Sequence, residues 1–241
     1  MAFVANSGTL ILLANEERGI VVGSDSRSSG GRAKDDEVKV VEMGPWTLAA
    51  VRGKAALYDP DDPNRSFLVV DRLKGYLKDR RLPFPSDLPP AEALRAIASA
   101  FEDAIKEIEA AWNAAALEDK PGKGVRESLG QPGFFGINVA QIQEDDKRLI
   151  ADVCWGVSWS SSEEKVAFSF LGGDDSWALT NASVGYSWRS DEKFSRKWDQ
   201  KETAVRWMQQ EVHRATKEDG PVGGPLQVRR VTQNGIEQYP T

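Results

Sequence analysis

Apolar residues run almost unbroken from Thr9 to Ala14 and again from Gly19 to Ser24, with the polar stretch Asn15-Glu16-Glu17-Arg18 between them. This pattern predicts a hairpin of two buried strands, 9–14 and 19–24. "EVKVVEM" (37–43) and "WTLAAV" (46–51) predict a second pair around Gly44-Pro45. The period then changes. Over 66–78, Val69, Val70, Leu73, Tyr76 and Leu77 fall on one side of a helix. After the connector "LPFPSDLPP", Leu94, Ile97, Phe101, Ile105, Ile108 and Trp112 recur at spacings of three and four. They predict one long amphipathic helix over 91–116 whose stripe is core. Gly, Pro and charge fill 118–133, which reads as a loop. Strands return at 134–142, 148–157 and 165–173, and Val205, Met208, Val212 and Ala215 are in phase on a helix over 200–217. A last hairpin turns at Asn234-Gly235.

Runs of strands, then helices, then strands again predict an α+β protein with antiparallel sheets and helices in separate layers. A four-layer α/β/β/α sandwich fits that order, although pattern alone does not select it. With 241 residues, 40% of them hydrophobic, the chain is large enough for one domain with a substantial core. Its net charge of −6 and the lack of a basic face exclude the electrostatic footprint of a nucleic-acid binder. No segment approaches the roughly 20 apolar residues of a membrane helix. The apolar start "MAFVANSGTLILLA" has no basic region before it and is broken at Asn6-Ser7-Gly8, unlike a signal peptide. The expectation is a soluble, cytoplasmic protein. One cysteine, Cys154, and one histidine, His213, exclude a disulfide framework and a His/Cys zinc site. His213 sits in the polar helical stretch "QQEVHRATKED" and reads as an exposed helix residue, so a histidine-based triad is not expected.

A hydroxyl nucleophile without histidine needs another base, and a chain terminus supplies one. An α-amino group has a pKa of roughly 7.7–8.0 and is partly neutral at physiological pH. If Thr9 became the first residue, its own amine would take the hydroxyl proton, directly or through a water. A nearby ammonium would lower the amine's pKa, and a carboxylate would hold that ammonium in place. Lys39 and Asp25, both at strand ends, are the candidates.

These residues resemble those of proteasome-type β-subunits in the N-terminal-nucleophile (Ntn) hydrolase superfamily. In that family the N-terminal threonine follows a glycine, as Thr9 follows Gly8. A glycine-containing turn and an apolar strand then lead to Asp-Ser-Arg. "RGIVVGSDSR" has that form, and Asp25 lies sixteen residues after Thr9, the family's spacing. "KVVEM" resembles the strand opened by the family's lysine and assigns that role to Lys39, after a loop two residues short. "WTLAAVRGKAA" places Gly53 where the family uses a backbone N–H as oxyanion donor, at a turn entering a helix. "HRATKEDGPVGG" resembles the segment that closes around the threonine's amine and assigns its aspartate to Asp219. Two departures stand out: Gly173 and Val222 occupy the places of family serines. The helical middle matches poorly, with Pro60 and Pro63 interrupting a first helix and 118–133 inserted.

The resemblance implies a short propeptide, residues 1–8, and a single Ntn-hydrolase-like domain, 9–241. It implies a threonine-type endopeptidase armed by autocatalytic cleavage at Gly8-Thr9, acting on peptide or unfolded protein. Subunits would form a homo-oligomeric ring; no cofactor, metal, nucleic acid or membrane is involved. Val51 and Ala55, beside Gly53, would border a pocket for a small-to-medium apolar side chain. The rival expectations are an inactive subunit or scaffold of the same fold that keeps its N-terminus, and a non-peptidase amidase of the superfamily. A ligand binder using Trp155 and Trp159 is the fourth.

Overall fold

Both N-terminal hairpins form, and they belong to different sheets. A computed structural model describes the chain apart from residues 1–3, 6–8, 28–37, 55, 59–66, 86, 119–124, 126–132, 173–184, 190–197, 199–202, 219–221 and 240–241. Strands β2 (Leu10–Glu16) and β3 (Gly19–Ser24) pair antiparallel across the turn Glu17-Arg18. Strands β11 (Gly185–Arg189), β12 (Gln227–Thr232) and β13 (Gly235–Gln238) complete a five-stranded sheet in the order β11-β2-β3-β12-β13. The second hairpin, β4 (Val40–Gly44) and β5 (Thr47–Gly53), joins β8 (Gly133–Ile142), β9 (Arg148–Ser160) and β10 (Lys165–Gly172) in the order β10-β9-β8-β5-β4. A small third sheet runs β1-β6-β7, from Val4–Ala5, Ala56–Tyr58 and Phe67–Leu68. Every strand pair is antiparallel, so the fold is mixed α+β as expected.

The strands read as continuous apolar runs because both faces of each large sheet are covered. Ile11, Leu13, Ile20 and Val22 of one sheet share a buried core with Leu48, Ala50, Ala140 and Ile150 of the other. The alternate residues Leu10, Leu12, Ala14 and Val21 turn the other way, into a core with Val205, Met208, Val212 and Ala215 of α4 (Ala204–Glu218). On the opposite side, Phe135, Ile137 and Val139 pack with α1 (Val69–Leu73), α2 (Pro90–Ser99) and α3 (Glu102–Glu118). Phe101, Trp112 and Phe135 are fully buried there, and each such burial contributes about 1.5–3 kcal/mol. Of the 119–132 segment only Val125 is described, and it too lies in this core.

Two helical expectations change. The predicted 91–116 helix is broken at Ala100-Phe101, where Ala100 and Phe101 donate their N–H groups three residues back, to Ile97 and Ala98. The phase of the apolar stripe survives, and the Ala100 carbonyl receives the Tyr76 hydroxyl at 3.0 Å. The 66–78 helix shrinks to Val69–Leu73. Beyond it, Gly75 and Leu77 donate N–H groups to the Glu42 and Met43 carbonyls at 2.9 and 2.8 Å. Covering the free edge of β4 in this way wins over another turn of helix.

Candidate active site

The end of β3 builds the site. Pairing of Ile11 with Ser24 carries Leu10 opposite Asp25, whose N–H donates to the Leu10 carbonyl at 3.2 Å. The Leu10 N–H donates back to Asp25 Oδ1 at 2.7 Å. Thr9 therefore hangs one peptide from that carboxylate, and it is buried. Lys39, just before β4, directs Nζ to the same Oδ1 at 3.1 Å and to the Arg27 carbonyl. These contacts, with the two bonds from Leu10 N to Thr9 Cα, put that Cα within about 8 Å of Lys39 Nζ. The Lys39 backbone is held as well, its N–H donating to Gln227 Oε1 at 3.1 Å. Gln227 opens β12 opposite Ser24, so adjacent strands fix both members of the ion pair.

Asp25 and Lys39 are 0% and 3% exposed. Burial pushes the Asp25 carboxyl above the ordinary carboxylate range; the Lys39 ammonium and the N–H groups of Leu10 and Gly223 pull it back only in part. Gly223 donates to Oδ2 at 3.1 Å, and its carbonyl accepts the Ser26 and Arg27 N–H groups. The carboxyl is thus wired on both oxygens and can hold an ammonium in one place.

Gly53 ends β5 with φ +77°, and a Cβ there would stand 2.2 Å from the Phe134 carbonyl oxygen, so no other residue fits. Strand alternation turns its N–H to the same side as that of Val51, which donates to the Lys39 carbonyl at 3.2 Å. Gly53 therefore faces the Lys39 side of the sheet. Where a helix was expected after it, the described residues Ala56–Tyr58 are strand. Lys54 extends the ladder with an N–H to the Phe134 carbonyl at 2.9 Å, and the chain continues into β6. Burial also pushes the Lys54 ammonium below its ordinary value. Val51 is part of the helix-side core, while Ala55 lies outside the described residues.

Asp219 and Gly173 also lie outside the described residues. Val222, expected to stand in a serine's place, is fully buried in the α4 core and is held there by packing. That segment reaches Asp25 through the Gly223 backbone instead. His213 is exposed on α4. Trp155 is packed among Phe101, Phe135 and Phe170, which removes it as an open platform.

One polar cluster went unread in the sequence. Arg52, preceding Gly53, donates from one guanidinium nitrogen to Asp152 Oδ2 at 2.6 Å and to Cys154 Sγ at 2.8 Å. Its side chain crosses Gly136, where a Cβ would lie 3.0 Å from Arg52 Nε. A charge set inside the apolar runs "LAAVRG" and "LIADVCW" was the available signal.

Among the described residues no three His, Cys, Asp or Glu side chains cluster to hold a metal ion, and no helix is long and apolar enough to cross a membrane. No protein-family model matches the chain, and no curated protein matches it in sequence.

Proposed function

We propose that this chain is a threonine-type amide hydrolase of the proteasome β-subunit kind, acting on peptide or unfolded protein. The observation that carries the reading is the convergence of Leu10 N–H and Lys39 Nζ on one oxygen of Asp25, directly beside Thr9. In the precursor, Thr9 Oγ attacks the Gly8 carbonyl carbon, the Gly8–Thr9 C–N bond breaks, and the acyl group passes to oxygen. Water then hydrolyses that ester, leaving a Gly8 carboxylate and a free Thr9 amine. In turnover the amine takes the hydroxyl proton, Oγ attacks the substrate carbonyl, and the proton passes to the departing amine as the C–N bond breaks; water then hydrolyses the Thr9 ester, releasing the acid and restoring the hydroxyl. Lys39, held by Asp25, lowers the amine's pKa by its charge. The Gly53 N–H stabilises the oxyanion and Asp219 orients the terminus.

The three cores support the finer architecture that goes with this reading: helices, sheet, sheet and helix stacked as an α/β/β/α sandwich. Assembly into rings in the cytoplasm, sites inward, belongs to the same proposal. Val222 favours one alternative, an inactive scaffold of this fold, because it brings no hydroxyl to the place where the family hydrogen-bonds the amine.

Intact mass with N-terminal identification separates the two. The peptidase reading expects mature protein to begin at Thr9, and Thr9→Ala to keep residues 1–8 and hydrolyse no peptide. Mature wild-type protein that still begins at Met1 or Ala2 would sink it.

A further inference from the structure

We infer that a buried water site lies between the two large sheets, held by Asn138 and Arg52, and that its water is a fixed part of the fold. This goes beyond the peptidase reading and does not rest on it. On the face of the β10-β9-β8-β5-β4 sheet that meets the other sheet, Ala50, Asn138 and Asp152 stand in one row across β5, β8 and β9. Arg52, Gly136 and Cys154 form the next row. Asn138 is 1% exposed, and neither its Oδ1 nor its Nδ2 has a hydrogen-bond partner among the described residues. Turning the amide over changes nothing, because both ends are unpaired. Arg52 Nε is also buried without a partner, and it lies over Gly136, two places before Asn138 on the same face. Two donors and one acceptor therefore stand side by side with no protein group to meet them. Burying such groups dry is strongly disfavoured, so a bound molecule accepts and donates there.

The three atoms define the molecule. It accepts from Arg52 Nε and Asn138 Nδ2 and donates to Asn138 Oδ1; an anion cannot donate and a metal cation cannot accept. The guanidinium charge is already met by Asp152 at 2.6 Å, so the molecule is neutral. It is also small. Ala50 and Ala140 beside Asn138 leave shallow room between strands about 4.8 Å apart, and Leu48 and Ile150 close the row beyond with apolar side chains. Water meets all three conditions and has the polar partners that a buried water needs. Its way in is along β9, where exposure rises from buried Asp152 to half-buried Cys154 and Gly156. Once bound, it fills out the donor set of a buried guanidinium and ties the Arg52–Asp152 pair to the middle strand, which brings only Gly136 to the row of Arg52.

High-resolution crystal structures of the wild-type chain, one from a crystal soaked in bromide, test this. The expected result is a solvent peak about 2.7–3.2 Å from Arg52 Nε and from the Asn138 amide, with no anomalous bromide signal on it. Asn138→Leu has a similar shape and removes the amide's contacts, so its structure should lose the peak. No peak beside Asn138 in the wild type overturns the inference, as does bromide at that place or an Asn138 amide bonded to a protein group. A peak that persists in Asn138→Leu overturns it too. Where that variant fails to fold, the wild-type crystals still decide. The two readings fail separately: a mature chain that retains Met1 overturns the peptidase and leaves the water site standing, whereas a dry Asn138 overturns the water site whatever the mass.

Discussion

At the residue scale the site is a question of how a buried carboxyl is satisfied. Asp25 accepts three N–H donors, from Leu10, Gly223 and Lys39, with no exposure to water. Asp25→Ala strands all three and removes the counter-ion of a buried ammonium, so it should cost about 3–5 kcal/mol in denaturant unfolding. Asp25→Asn keeps an acceptor for Leu10 and removes the anion that burial disfavours, and should cost clearly less. The pH dependence has a definite sign. The folded-state carboxyl titrates above its unfolded value, so between the two the folded chain binds more protons. Stability of the wild type relative to Asp25→Asn should therefore be greatest below the ordinary carboxylate pKa and decline as pH rises through the folded pKa. A difference that grew with pH over that window would contradict it.

At the element scale, β5, β8 and β9 are registered so that Arg52, Gly136 and Cys154 lie in one row across three strands. A glycine in the middle strand lets Arg52 reach over it to Asp152. Arg52→Met would remove the buried counter-ion of the Asp152 carboxylate, at about 3–5 kcal/mol. Pairing it with Asp152→Val should recover much of that loss, measured as a double-mutant cycle. Additive losses would mean that the two charges do not act as a pair. Strand existence was legible here from β-branched apolar runs, but β6 and β11 were not. Three residues after a glycine, and the polar-aromatic "GYSWR", carry no alternation that distinguishes a strand from a loop.

At the scale of the molecule, the two large sheets are joined at opposite ends by different means. Near Thr9 the link is the Asp25–Lys39 pair. At the other end of β2, about 20 Å away by strand rise, Arg148 of β9 grips the β2–β3 turn. It donates to Asn15 Oδ1 at 2.6 Å, to the Glu17 carbonyl at 2.7 Å and to the Glu16 carbonyl. Arg148→Ala should lower stability by about 1–3 kcal/mol while leaving the proposed cleavage at Gly8-Thr9 as in the wild type when measured well below the melting temperature. Loss of cleavage without loss of stability would show that the two ends communicate.

Sequence by itself determined the strand pairs, the apolar stripes and the spacing from Thr9 to Asp25 and Lys39, because these follow from local periodicity and turn chemistry. Only the tertiary structure decided which hairpin joined which sheet, where the long helix broke and which charges met. Arg52 and Asp152 are a hundred residues apart in the chain, and the Lys39 backbone is held by Gln227 of β12, 188 residues further on. No local pattern encodes such a meeting. A charge can stay within an apolar run only if folding brings it a partner, and the sequence does not say which one.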